Sequence, residues 1–369
     1  MRKLIVFASA LALSGSMAFA MEEKAMDEMM EAPAPSVSVG ASGKIGIKNV
    51  DDGDEGTEDF KLVRAYKVTF SSSGTTDGGL MFGAGMSIRD DTGEEDMPVV
   101  KGSHVYVGGG DGSWKLQFGG NDPGIDLAGG FGVADNHFSG GQEDATIALS
   151  GSFGDTSYRI TAADPGMDSV NRVFDLASTS EVDESNLEAY KNAKLKDNNW
   201  SVGVSHSINT ISVGVGMDSE SGLAIGVGTD LSGVSTFVYW SKSEYKNVIV
   251  AEGDDDASSD TLVSQENSGL GVKASMSAGE GATFSVGYST LKLKQGTNGT
   301  GTNYDGTATT KLIEVDFSYD LGGGATLKAG IDKKDEESIG PDDGAADPVA
   351  GIITTKDTTT LEAAIAFSF

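Results

Sequence analysis

A chain of 369 residues with 26 basic and 56 acidic side chains has a formal net charge of −30. That balance disfavours a nucleic-acid partner, because phosphate binding needs a basic surface. The chain has no cysteine, which excludes a disulfide framework and thiolate metal sites, and its 52 glycines and 38% hydrophobic content suit closely packed strands around a wet interior.

The first twenty residues read as a signal peptide. Arg2 and Lys3 are a positive start, Leu4 to Leu13 an apolar run, and Ala18-Phe19-Ala20 a small-residue cleavage site. Residues 21–36 (MEEKAMDEMMEAPAPS) favour helix but end at Pro33 and Pro35, and are expected to be a mobile extension. Beyond residue 20 no stretch approaches the roughly 18 consecutive apolar residues of a spanning helix. A membrane crossing by this chain therefore requires a closed barrel.

From Val37 the chain alternates with a period of two, the signature of strands with two different faces. Val37, Val39, Ala41, Ile45 and Ile47 share one face, with Lys44 and Lys48 on the other. An acidic loop, Asp51 to Asp59, leads to a second strand over Phe60–Phe70, with Lys61 and Lys67 turned inward. Arg64 falls on its apolar parity, so either a bulge shifts it or it meets protein rather than lipid. The third strand puts Leu80, Phe82, Ala84, Met86 and Ile88 outward and Ser87 and Arg89 inward. Val105 and Val107 mark the fourth strand; Trp114, Leu116 and Phe118 mark the fifth, with Lys115 and Gln117 inward.

Residues 121–144 (NDPGIDLAGGFGVADNHFSGGQED) break the rhythm. They are Gly-rich and acidic, yet hold Ile125, Leu127, Phe131, Val133 and Phe138, so the loop is expected to pack against something. Strand pairs resume with Ile147–Phe153 and Tyr158–Ala162, the latter with Arg159 on its other face. The long polar stretch 164–199 reads as a loop. Strands eight to eleven are Trp200–Ile208, Ile211–Met217, Leu223–Thr229 and Val234–Ser243. Leu270–Met276, Phe284–Tyr288, Ile313–Leu321 and Ala325–Ile331 mark the next four, and Asp332 to Lys356 reads as the loop before the last. The last strand, Thr358–Phe369, is apolar on one parity and small or polar on the other, and ends on Phe367 and Phe369. This is the pattern of a strand between lipid and a wet lumen, with an aromatic at the membrane interface. Sixteen strands result. Their connections alternate short and long, with a short exception at Asp218–Gly222.

Signals for catalysis and metal binding are poor. His104, His137 and His206 are the only histidines, none with a second at metal spacing. Ser205 and Ser207 flank His206, a weak hydrolase signal, and the Gly clusters read as turns and loops. Asp51, Asp52, Asp54 and Glu55, and Asp254 to Asp256, could hold Ca²⁺ or Mg²⁺ loosely, but no EF-hand spacing is present. No cofactor is expected.

Together with segments such as TDGGLMFGAGMSIRDD and GDGSWKLQFGGND, the signal peptide, the strand count and the terminal phenylalanine carry a resemblance. The chain resembles the general trimeric porins of Gram-negative outer membranes. The resemblance implies a 16-stranded antiparallel transmembrane β-barrel over residues 37–369, with long extracellular loops. It implies a third loop folded into the bore, here 121–144, bearing Asp122, Asp126, Asp135, Glu143 and Asp144. It implies a facing basic wall, here Lys44, Lys67, Arg89 and Arg159 by parity. The family has a denser arginine cluster on its early strands; here position 65 is Ala. A homotrimer is implied as well, in contact with outer-membrane lipid and lipopolysaccharide and inserted by the barrel-assembly machinery through the last strand. The expected function is passive diffusion of ions and small hydrophilic solutes, with modest cation preference and no enzymatic activity. A structural or adhesive barrel with a plugged lumen is the alternative, and an outer-membrane enzyme a third.

Overall fold

A computed structural model describes residues 35–53, 60–90, 98–135, 147–162, 200–219, 221–250, 261–297, 306–340 and 352–369. The described residues form sixteen strands: β1 (Ser36–Asp51), β2 (Lys61–Thr75), β3 (Leu80–Asp90), β4 (Val99–Gly109), β5 (Lys115–Gly119), β6 (Ile147–Phe153), β7 (Thr156–Ala162) and β8 (Trp200–Ile208). They continue with β9 (Ile211–Asp218), β10 (Leu223–Leu231), β11 (Val234–Val250), β12 (Thr261–Ser277), β13 (Ala282–Thr297), β14 (Gly306–Gly322), β15 (Ala325–Gly340) and β16 (Ile352–Ser368). Each pairs antiparallel with its sequence neighbours, and β1 pairs with β16, so the sheet closes into a barrel. β7 bonds directly to β8, so the barrel closes with the sixteen strands of the described residues; the stretch 164–199 lies outside them. The signal peptide and residues 21–34 lie outside the described residues, and Ser36 already belongs to β1.

The period-two reading of the faces holds. Ile45, Leu62, Phe82, Val105, Phe118, Val227, Val272, Phe317 and Ile365 are all exposed on the outer surface. The β1–β2 register runs unbroken from Ser36/Ser73 to Lys48/Lys61. No bulge therefore turns Arg64 inward: it lies opposite Ile45 on the outer face. Several strands outrun the sequence reading. β15 continues to Gly340 and β16 starts at Ile352, so much of the expected loop Asp332–Lys356 is strand. The backbone ladder continues where the outer face no longer meets lipid, so charged pairs such as Lys333–Asp335 replace the apolar alternation that sequence reading follows.

The wall is lowest at β5, β6 and β7, which have five, seven and seven residues. Here the chain after β5 turns into the bore. It forms two short 3₁₀ turns, Gly124–Ala128 and Gly132–Ala134, packed on the inner faces of β7 to β14. Ile125, Ala128 and Ala134 are 2%, 2% and 0% exposed, and burying Ile125 favours docking by about 2 kcal/mol.

The wall that receives this segment is built from glycine and small hydroxyl residues. A Cβ at Gly203, Gly214, Gly216 or Gly226 would collide with the backbone of residues 124–128, and one at Gly271 or Gly287 would meet Phe131. Hydroxyls meet the polar backbone between them. Thr161 Oγ1 accepts from Gly124 N–H (3.2 Å), Ser201 Oγ from Ile125 N–H (3.1 Å) and Ser289 Oγ from Val133 N–H (3.1 Å), while Ser241 Oγ donates to Ala134 O (3.1 Å). All four hydroxyl residues are fully buried. The packed loop that the sequence calls for is therefore a strap laid along a prepared track.

Gly214→Val should lift this strap, because the new side chain occupies the position of Leu127 O and the Ala128 Cα. The expected result is faster protease cleavage within residues 121–135 of the folded protein, with the strand circular dichroism unchanged. Ser201→Ala should loosen it more mildly, by about 1–3 kcal/mol, the cost of an unmet buried N–H.

Candidate functional site

The strap has two faces. Ile125, Ala128, Phe131 and Ala134 turn to the wall; Asp122, Asp126 and Asp135 are exposed to the bore. Asp122 sits where the strap begins. Its carboxylate is 3.7 Å from Arg159 Nη1, which also donates to the Asp122 carbonyl at 3.4 Å. Asp126 lies in the first 3₁₀ turn. The Asp135 carboxyl folds back over Gly130, and desolvation by the surrounding barrel raises its pKa above the ordinary carboxylate value. Glu143 and Asp144 lie outside the described residues.

The four bases expected on the wall all have lumen parity, but their surroundings differ. Lys44 Nζ donates to Glu362 Oε1 at 2.6 Å, diagonally across the seam between β1 and β16. Arg159 belongs to the mouth of the strap, through Asp122. Lys67 and Arg89 are directly opposed cross-strand neighbours on β2 and β3. In a closed ring of sixteen strands, β2 and β10 lie eight strands apart in either direction. Strand order thus sets the Lys67 and Arg89 wall across the bore from the middle of the strap.

Beyond the end of the strap the wall turns acidic. Glu314 and Asp316 of β14, Asp332 of β15 and Glu362 of β16 share lumen parity, and Ser285 Oγ donates to Asp316 Oδ2 (3.3 Å). Lys273 of β12 and Lys328 of β15 are bases among them; Lys273 Nζ lies 5.1 Å from the Phe131 ring centroid and helps hold that aromatic down.

Sequence reading missed the track itself. Its signal was present: Gly recurs on the lumen parity in SVGVS, SVGVG, AIGVG and SVGYS, away from any turn. Lys101, lumen-facing opposite Ser87, was also missed, because the bulge between Gly85 and Ser87 hides its parity. His206 points outward and shares a 2.7 Å hydrogen bond with Thr156, whereas Ser205 and Ser207 have lumen parity. The three cannot form a catalytic pair. His104 faces the bore, its Nδ1 2.8 Å from Gly102 O; His137 lies outside the described residues. Asp52 is engaged by Lys356 at 2.9 Å. Asp54, Glu55 and Asp254 to Asp256 lie outside the described residues, among which no group of three metal-ligating side chains occurs.

At the seam, Phe369 N–H donates to Ala41 O at 2.8 Å, and the Phe367 and Phe369 rings lie 5.6 Å apart. The Phe367 ring covers Gly43, where a Cβ would strike it. Gly43 therefore serves to seat the terminal aromatic against β1.

A sequence search of curated proteins finds no match. Solved structures do match. OmpT, an outer membrane protein of Vibrio cholerae, aligns over 93% of this chain and 100% of its own, with a TM-score of 0.62 at 10% identity. The same protein in trimer form aligns over 91% and 100%, with a TM-score of 0.61 at 10% identity. A double mutant of the porin of Rh. blastica aligns over 90% and 100%, with a TM-score of 0.54 at 13% identity. At such identities the likeness speaks for the fold: a closed, antiparallel outer-membrane barrel. A family model described as Gram-negative porin matches residues 7–338, nearly the whole chain. With a barrel of sixteen strands, an inward strap and that match, the chain belongs to the Gram-negative porin family and is an outer-membrane porin.

Proposed function

We propose that this porin is a passive, water-filled channel whose narrowest part lies between the 121–135 strap and the basic wall of β1–β3, with no catalytic role. One observation carries the reading: the strap packs along β7 to β14 and presents Asp122, Asp126 and Asp135 to the bore, opposite Lys67 and Arg89. A segment laid along one wall narrows a bore without filling it, and this favours a channel over a plugged structural barrel. Opposed charges orient dipolar solutes and sort ions by sign.

The assembly proposed is a homotrimer, supported by the trimer form of the Vibrio cholerae protein and by Arg64 on an otherwise apolar outer face. Lipopolysaccharide around the long-loop rim, and the assembly machinery acting on the Phe369 strand, complete the proposed surroundings. Loosely held Ca²⁺ or Mg²⁺ at the acidic loops belongs to the same proposal. Reconstituted in a planar bilayer, the protein should give stable conductance steps in groups of three. A sealed membrane would leave the structural reading in its place.

Cation preference should be modest and greatest at low salt, because a low-dielectric wall focuses the carboxylate field and screening shortens it to roughly 10 Å at 0.1 M. The zero-current potential across a KCl gradient should carry the cation sign. Asp122→Asn, Asp126→Asn and Asp135→Asn together should reduce it, with the barrel intact. An anion sign in the unmodified protein would make the basic wall the dominant filter.

The preference should also depend on pH in a defined order. The ordinary aspartate value is about 3.9, and that of Asp135 is raised. Asp135 therefore loses its charge earlier than an ordinary carboxylate as the pH falls. Selectivity should start to decline above the ordinary carboxylate range, and Asp135→Asn should remove that early part of the titration. The same sign applies to docking: the charged form opposes burial at neutral pH, and protonation relieves it.

A further inference from the structure

Two rows of the inner face stand nearer the short turns than Lys67 and Arg89 do. From β1 to β5 neither row holds a lysine, an arginine or a carboxylate. One reads Ser38, Ser71, Gly85, His104, Gly119, and the next Ser36, Ser73, Gly83, Tyr106, Gln117. The 3₁₀ turns of the strap pack on β7 to β14, away from both rows.

His104 and Tyr106 are two residues apart on β4 and share the lumen face. Each ring lies over a glycine of β3. A Cβ at Gly85 would come within 2.7 Å of His104 Cε1, and one at Gly83 within 2.6 Å of Tyr106 Cε1 and Cζ. The ring centroids are 6.4 Å apart, with planes 28° from parallel. That separation matches the rise of two strand residues at roughly 3.4 Å each, so the rings lie side by side along the strand and not face on face. Two flat tiles result. Each has one face on the sheet and, because both residues are only half-buried, the other turned to the bore. Glycine weakens a strand interior, so a glycine under each ring is a seat built at some cost.

Hydroxyls border the tiles on the far side of β3. Ser38 pairs with Ser71 at 2.6 Å and Ser36 with Ser73 at 3.1 Å, all four exposed to the bore. His104 Nδ1 lies 2.8 Å from Gly102 O, which can only accept, so Nδ1 carries the proton. Nε2 of the neutral ring is then left as an acceptor. On the β5 side Lys115 Nζ stands 5.6 Å from the Tyr106 ring centroid and adds a donor.

We propose that His104 and Tyr106, with Ser71 and Ser73 beside them, form a binding platform for neutral saccharides, whose pyranose rings lie flat on the two tiles. Sugar C–H groups are weakly positive and an aromatic face is the negative side of its quadrupole, so the bare face of a pyranose packs on an aromatic ring. The sugar hydroxyls project from its edge, where the serine hydroxyls and His104 Nε2 exchange hydrogen bonds with them. Two tiles in line suit two linked units. β-1,4-Linked glucose suits them best, because its ring substituents are equatorial and both faces of each unit are C–H surfaces. The inference rests on the channel reading for its role in permeation, though not for binding itself.

Cellobiose is the probe, and mannitol, which has the hydroxyls but no ring face, is the control. In planar bilayers cellobiose should reduce the single-channel current in a saturable way, and mannitol only in proportion to the conductivity of the solution. Saturation-transfer NMR, with the barrel in a detergent that has no sugar headgroup, should show contact to the ring C–H protons of cellobiose with the same half-saturating concentration. His104→Ala with Tyr106→Ala should raise that concentration about tenfold. Tyr106→Phe keeps the aromatic face and should change it less than about twofold. Ser71→Ala with Ser73→Ala should raise it about threefold, and covers the case in which the aromatic pair does not fold. Thr326→Ala, on the inner face of β15, should change it less than about twofold. Cellobiose responses no different from those of mannitol in both measurements would overturn the platform, as would either double variant binding like the unmodified protein. Saturation transfer without any conductance would leave the platform standing and overturn the channel reading instead.

Discussion

Ten residue pairs between β1 and β16, Ser42/Ser368 to Asp51/Thr359, close the ring. Lipid offers no partner for an open strand edge, so every backbone group facing the membrane core must find one in the sheet. Closure is therefore the condition for the other fifteen pairings to exist in a bilayer. Ion pairs reinforce it: Lys44 to Glu362 beside the seam, and Lys356 to Asp52 at the long-loop rim. The terminal aromatics complete it from outside, with Phe369 bonded to Ala41 and Phe367 seated on Gly43. Closure also creates a second problem. It encloses a bore lined by whatever stands on the inner parity, and the fold must then decide how much of that space to fill.

The strap answers by using the absence of side chains. Glycines on β8 to β13 let the backbone of residues 124–134 lie almost on the sheet, and buried hydroxyls of Thr161, Ser201, Ser241 and Ser289 meet its polar groups. Glycine weakens a strand interior, so a row of them at one height is a cost that docking must offset. The offset is the burial of Ile125, Ala128 and Ala134 and the seating of Phe131. Because both sides of the contact are backbone, the strap is held by geometry rather than by particular side chains facing water. Its exposed face is free to carry Asp122, Asp126 and Asp135.

Charge in the bore is segregated by strand. Of the charged residues, bases alone occupy the inner faces of β1 to β7, whereas acids line the strap and share β14 to β16 with Lys328 and Lys334. The chain's −30 therefore says little about the field a solute meets in the bore. That field depends on which residues share a face, and on which are already spent on each other, as Lys44 and Glu362 are.

The sequence alone determined the class of fold, the two faces of each strand and the number of strands, because a wall between lipid and water imprints a period of two on nearly every crossing. It also called for packing in residues 121–144, from Ile125 and Phe131 set among acids, and the described part of that stretch, 121–135, does pack. The alternation faded where strands rise beyond the apolar band, so the ends of β15 and β16 were hidden until the backbone ladder was seen. Only the tertiary structure decided where the strap docks, that Lys44 is bound to Glu362, and that Lys67 meets Arg89 directly. Periodicity fixes which way a side chain points on its own strand. Which residue on another strand stands beside it depends on register and on closure, and both come from contacts between segments as far apart as β1 and β16.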